Sequence, residues 1–135
     1  MMDFISSNIP LLLLVVVSGS LLVWSFLQPS PASLNNAQAT QLINREDAIV
    51  IDVRELAEFV KGHLPDARNI PLSKLADKVA DLGKDKPLLV CCASGVRSRK
   101  ASEDLRKLGF DKVYNLEGGV DAWVGAGMPI KKGSK

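Results

Sequence analysis

From Ile9 to Leu27 the chain reads IPLLLLVVVSGSLLVWSFL, nineteen residues without a charge, and such a run cannot share one solvated surface with the charged residues that follow. As a helix rising 1.5 Å per residue it would extend about 29 Å, close to the hydrocarbon thickness of a bilayer. The run therefore predicts one N-terminal transmembrane helix. Pro10 stands in its first turn, where a missing N–H costs nothing, and Trp24 and Phe26 stand near its far end, where aromatic rings favour the interface. The competing reading is a cleaved secretory signal, for which Ala37-Gln38-Ala39 would serve as the processing site. Against it, MMDFISSN carries Asp3 and no basic residue, and the apolar run exceeds the roughly 7–15 residues of a signal core.

The stretch Gln28 to Gln38, QPSPASLNNAQ, has two prolines and no apolar periodicity, the pattern of a linker. The expected organisation is a tail over residues 1–8, a membrane helix over 9–27, a linker over 28–39, a globular domain over 40–131 and a tail over 132–135. Arg45, the first basic residue, stands at the outer limit of the flank that orients a membrane helix, and leans the domain inward. A reactive thiol is also better kept in a reducing compartment. The expected location is a single-pass protein of the cell (inner) membrane with its domain facing the cytoplasm.

With 17 Lys and Arg against 15 Asp and Glu, the net charge of +2 becomes +3 for the soluble part once Asp3 is set aside, too mild for a nucleic-acid partner. The two cysteines are adjacent, Cys91 and Cys92, which excludes a disulfide framework. His63 is the sole histidine, so no zinc cluster is in view.

Within the domain, Ala48–Val53, Pro87–Cys91 and Lys112–Leu116 are short apolar, β-branched runs that read as strands. Glu55–Val60, Ser73–Leu82 and Ser98–Leu108 read as helices, the last stopped by Gly109. Alternating strands and helices predict an α/β domain with a parallel sheet covered on both faces, whose ligands bind beyond the carboxyl ends of the strands. Two loops lie there: Asp52-Val53-Arg54-Glu55, and Cys92-Ala93-Ser94-Gly95-Val96-Arg97-Ser98.

The second loop joins a buried strand to a helix, so backbone N–H groups can curl around the Cys92 sulfur while the helix dipole favours a thiolate. Such surroundings lower a cysteine pKa and give a nucleophile without a histidine base. Gly95 permits a left-handed backbone, Arg97 offers a planar fork to an oxyanion, and Ser98 reads as the helix N-cap. The same amide cradle suits a persulfide, Cys–S–S⁻.

The residues CASGVRS resemble the rhodanese active-site loop, Cys-x-x-Gly-x-Arg-Ser. Ile51-Asp52-Val53-Arg54, Glu58-Phe59 and Gly62-His63-Leu64-Pro65-Asp66-Ala67-Arg68-Asn69-Ile70-Pro71 resemble that family's upstream signature, and Gly118-Gly119, Trp123 and Gly127-Met128-Pro129 its C-terminal one. Asp66 stands where the family usually has glycine. The resemblance implies a rhodanese-like domain with a central five-stranded parallel sheet flanked by helices, and a thiosulfate sulfurtransferase that works through a Cys92 persulfide without a cofactor. Its partners would be a sulfur donor such as thiosulfate, a thiol or protein acceptor, the membrane, and other membrane proteins. A docking module on the same fold is the alternative.

Counting from Cys91 instead gives Cys-x5-Arg, the pattern of cysteine-dependent phosphatases and rhodanese-fold arsenate reductases. Cys91 still continues the strand, however, and reads as a core residue. Arg54 reads as a candidate to bind an anionic donor, with Asp52 fixing the loop, or as one half of a structural pair. Glu58 and His63 read as structural support, and Phe59 and Trp123 as core.

Overall fold

The computed structural model describes residues 2–27 and 33–134. The expectations for Met1, for residues 28–32 and for Lys135 lie outside the described residues.

The chain divides into two compact units. The N-terminal one holds helices α1 (Met2–Ser7) and α2 (Ile9–Leu27). Within the expected tail, Met2–Ser7 is helical, held by the Ser7 hydroxyl donating to the Asp3 carbonyl at 2.6 Å and the Asn8 side-chain amide donating to that of Phe4 at 2.7 Å. α2 coincides with the expected apolar helix. Among the described residues no helix is long and apolar enough to cross a membrane.

The second unit is an α/β domain of β1 (Ser33–Leu34), α3 (Asn36–Glu46), β2 (Ile49–Asp52), α4 (Leu56–Phe59), β3 (Arg68–Asn69), α5 (Leu75–Lys78), β4 (Leu88–Cys91), α6 (Val96–Lys107), β5 (Val113–Leu116) and α7 (Gly119–Gly125). Tight 3-10 turns, Leu72–Lys74 and Val79–Asp81, flank α5, so the helix expected over 73–82 is broken into three pieces.

The linker expected over 28–39 is corrected where it is described. Ser33 and Leu34 pair in parallel with Asn115 and Leu116, and α3 begins at Asn36. Asn35 and Gln38 form a reciprocal cap: the Gln38 N–H donates to Asn35 Oδ1 at 2.8 Å and the Asn35 N–H to Gln38 Oε1 at 3.0 Å. The polar residues that resemble a linker are the start signal of a helix. The tail expected over 132–135 is likewise tied down at Gly133, whose N–H donates to the Val60 carbonyl at 2.9 Å.

The five strands are all parallel in the order β1-β5-β4-β2-β3. β4 is central and its side chains alternate between the faces. Leu88, Val90 and then Cys92 join the cluster containing Ile51, Val53, Ala101 and Leu105. Leu89 and Cys91 join Val50, Leu64, Val120 and Trp123 on the other side. From β2 the chain proceeds to β3 at one edge, then returns to β4 and proceeds outward to β5. The crevice between the carboxyl ends of β2 and β4 is therefore the topological switch point, where sheets of this class bind ligands. Both loops singled out from the sequence open there.

Candidate active site

Cys92 follows β4 directly, and its side chain is 1% exposed. The Gly95 N–H donates to its sulfur at 3.0 Å, and the Ser98 Oγ lies 3.3 Å from it. The loop can present amides because its carbonyls are bonded elsewhere. The Cys92 carbonyl accepts from Val120 N–H at 2.8 Å and the Ala93 carbonyl from Asp121 N–H at 3.0 Å, both at the start of α7. Gly95 has φ 97°, which an L side chain rarely adopts. It caps α6, whose first helical residue is Val96. Ser98 is therefore not the N-cap. It lies inside the first turn, and its hydroxyl is directed at Cys92 Sγ and at Asn115 Oδ1.

Burial pushes the Cys92 thiol up, but the Ser98 hydroxyl and the backbone N–H groups of Ser98, Gly95 and Ser94 outweigh it and hold its pKa below the ordinary thiol value. Cys91, fully buried on the other face, is pushed well above that value by burial and then by the charge of Asp52. Only Cys92 is prepared as a thiolate.

Arg97 projects from α6 to α4, where its two Nη atoms donate to Glu58 Oε1 and Oε2 at 2.8 and 2.9 Å. Its fork is occupied by a carboxylate of the protein rather than open to an oxyanion. The Arg97 hydrogen bonds and charge overcome burial and hold the Glu58 carboxyl down at about 2. Both side chains are 38% exposed, so solvent screens the pair and its worth is a few tenths to about 1 kcal/mol. That contribution is present above the unfolded carboxyl pKa of about 4.3 and is lost as pH falls toward the folded value. Glu58→Gln should therefore lower stability by up to about 1 kcal/mol at pH 7. Thermal unfolding of variant and wild type should converge as pH falls from 5 to 2; a gap that stayed constant would assign the loss to packing.

Arg54 is 6% exposed and held on two sides. Its Nε donates to both Asp52 carboxylate oxygens at 3.0 and 3.1 Å, and one Nη to Asp52 at 2.7 Å and to the Gly62 carbonyl at 2.7 Å. Asp52 also accepts the Arg54 N–H at 3.0 Å. A buried guanidinium committed in this way braces the strand end, and the donor-binding expectation for Arg54 gives way to the structural one. His63, 1% exposed, stacks on Phe59 with ring centroids 3.7 Å apart, and its Nδ1 lies 2.9 Å from the Phe59 carbonyl. These contacts tie it to α4. Among the described residues no group of acidic, Cys and His side chains could hold a metal ion.

Asn115, on β5, escaped the sequence reading. It is 3% exposed, accepts from the Ser98 hydroxyl, and its Nδ2 reaches the Gly95 carbonyl at 3.4 Å. The signal was available: a polar amide inside an otherwise apolar strand is buried at a cost unless it is bonded.

Comparisons with known proteins bear on the family. Residues 35–126 match the Rhodanese-like domain family. The chain is 38% identical over 103 residues to the uncharacterized protein YibN of Escherichia coli, covering 74% of this chain and 72% of that one. It is 33% identical over 94 residues to the thiosulfate sulfurtransferase GlpE of Actinobacillus pleuropneumoniae, covering 70% and 87%. A crystal structure of a rhodanese-related protein from Thermoplasma volcanium superposes with a TM-score of 0.68 at 37% identity, over 73% of this chain and 96% of that one. A five-stranded parallel sheet, an amide-lined cysteine loop at its switch point and a family match over residues 35–126 lead to one assignment: the chain belongs to the rhodanese-like domain family.

Proposed function

We propose that the protein is a membrane-anchored sulfurtransferase that carries sulfane sulfur as a persulfide on Cys92. The observation that carries this reading is the convergence of the Gly95 N–H and the Ser98 Oγ on the Cys92 sulfur at 3.0 and 3.3 Å, in a loop whose carbonyls are bonded elsewhere. In the first half-reaction the Cys92 thiolate attacks the outer sulfur of a donor such as thiosulfate. A new S–S bond forms, the donor's S–S bond breaks, and sulfite leaves with the electron pair. In the second, an acceptor thiolate, on a small molecule or a protein, attacks the outer sulfur and returns Cys92 as thiolate. The amides that stabilise one anion stabilise the other, so the loop need not rebuild between steps. The relative named a thiosulfate sulfurtransferase supports thiosulfate as a donor.

Anchoring is argued from α2. It is uncharged from Ile9 to Leu27, and its large apolar side chains from Leu11 to Val17 and from Leu21 to Trp24 are exposed. A helix apolar on every side calls for an apolar medium. A single pass through the cell (inner) membrane, with the domain and its thiolate in the reducing cytoplasm, fits that demand.

Intact mass of the full chain tests the function. Incubation with thiosulfate should add one sulfur atom, and cyanide should then remove it. A chain that gains sulfur from neither thiosulfate nor polysulfide would instead be a tethered docking module.

A further inference from the structure

The Ser98 hydroxyl sits between two groups that both claim its one proton. On one side is Asn115 Oδ1, in hydrogen-bond contact with it; on the other is Cys92 Sγ at 3.3 Å. Asn115 is oriented by its Nδ2, which faces the Gly95 carbonyl at 3.4 Å, so the amide turns an oxygen, an acceptor only, toward Ser98. A hydroxyl has one proton to donate and lone pairs with which to accept. While Ser98 donates to Asn115, it faces Cys92 with a lone pair and accepts the S–H of the neutral thiol. Once Cys92 is ionised, Ser98 must turn its proton to the sulfur and release Asn115. Ser102 does not supply a substitute, since its hydroxyl donates to the Ser98 backbone carbonyl at 2.8 Å.

From this geometry we infer that Asn115 is a positioning residue for the Cys92 sulfur: it competes for the Ser98 proton and thereby holds back ionisation of the thiol. The relay is enclosed, with Ser98 0% and Asn115 3% exposed, so water does not relieve the competition. The charged groups around it are matched in pairs, Arg97 with Glu58 from α6 and α4, and Arg54 with Asp52 beyond β2. Cys91 beneath is neutral, and Glu117 and Asp121 on the α7 side are exposed. The consequence is a nucleophile whose anion the loop favours but whose neutral form is also held, so that the proton is parked within the site until the donor arrives. The inference rests on Cys92 being the nucleophile; its test uses no sulfur donor, so it can fail while sulfur transfer stands, and the reverse.

The experiment is the pH dependence of Cys92 alkylation by iodoacetamide in the full chain, followed by mass. Asn115→Leu, close in volume and unable to accept, should lower the midpoint by about half to one pH unit, making alkylation ~3–10-fold faster below both midpoints. Ser98→Ala should raise it. In the Ser98→Ala background, Asn115→Leu should have no further effect, because the hydroxyl through which it acts is gone. An effect of losing the Asn115 bond to Gly95 would act without Ser98 and so show as an equal shift in both backgrounds. Should Asn115→Leu fail to fold, Asn115→Ala carries the same expectations. An unchanged or raised midpoint, or an equal shift with and without Ser98, overturns the inference.

Discussion

Replacing Cys92 with alanine should reduce sulfur uptake from thiosulfate to background, whereas Cys91→Ala should keep it. The two residues are neighbours in the chain, and the motif admits a count from either. What separates them is the alternation of a strand, which sends successive side chains to opposite faces. Cys92 emerges where β4 gives way to the loop, with the Gly95 N–H 3.0 Å from its sulfur. Cys91 is 0% exposed among Leu89, Val50 and Leu116. Burial alone makes a thiolate there costly, and Asp52 adds a like charge. Cys91→Ala deletes one buried sulfur and should cost about 1–2 kcal/mol, small enough for the domain to remain folded. The check is intact mass after thiosulfate in each variant, with thermal unfolding to confirm the fold. Sulfur uptake that survived in Cys92→Ala and vanished in Cys91→Ala would shift the nucleophile by one residue and revive the longer Cys-x5-Arg loop.

The elements legible in the sequence are those with a local cause. β2, β4, β5 and α6 have runs or periods long enough to show, and the loop after β4 carries its chemistry in seven consecutive residues. β1 and β3 have two residues each and exist because a longer strand lies beside them: Ser33 and Leu34 against β5, Arg68 and Asn69 against β2. No window of sequence contains that cause. The same distinction runs through the site. Cys92 and Gly95 could be read in place, but the occupant of Arg97's fork, Glu58, lies 39 residues earlier in the chain, and Asn115 lies 17 residues beyond Ser98. Ser98 departs from the expected N-cap role for a local reason. Serine is a common N-cap, and here the turn needs the positive φ of Gly95 instead, which places the N-cap three residues upstream. Asp66 shows the converse: at φ 62° it adopts the left-handed turn where the family pattern has glycine, and aspartate is among the few residues that do so readily.

Gly119→Ala, at a residue far from Cys92 in sequence and lacking any side chain, should be nearly as damaging as loss of the cysteine. Gly119 has φ +62°, and a Cβ there would collide with the Cys92 carbonyl oxygen and lie 2.5 Å from that of Ala93. Those two carbonyls accept from Val120 and Asp121, the bonds that turn the loop's amides toward the sulfur. A methyl group must therefore displace α7 from the loop or the loop from α7, and either movement breaks the bonds. The left-handed conformation adds roughly 1–2 kcal/mol for an L side chain, and the collision about 1–3 kcal/mol more. Stability should fall by about 2–5 kcal/mol, and in whatever fraction stays folded the Cys92 thiol should titrate higher, because the amides no longer converge on it. Gly125→Ala is the control: a Cβ there meets nothing within 4 Å, so that substitution in the same helix should leave both properties near wild type. Thermal unfolding and the alkylation midpoint measured on both variants decide the point. If Gly119→Ala unfolded early while its folded fraction kept the wild-type midpoint, the glycine would serve packing alone, and the orientation of the loop would have to come from β4 and α6.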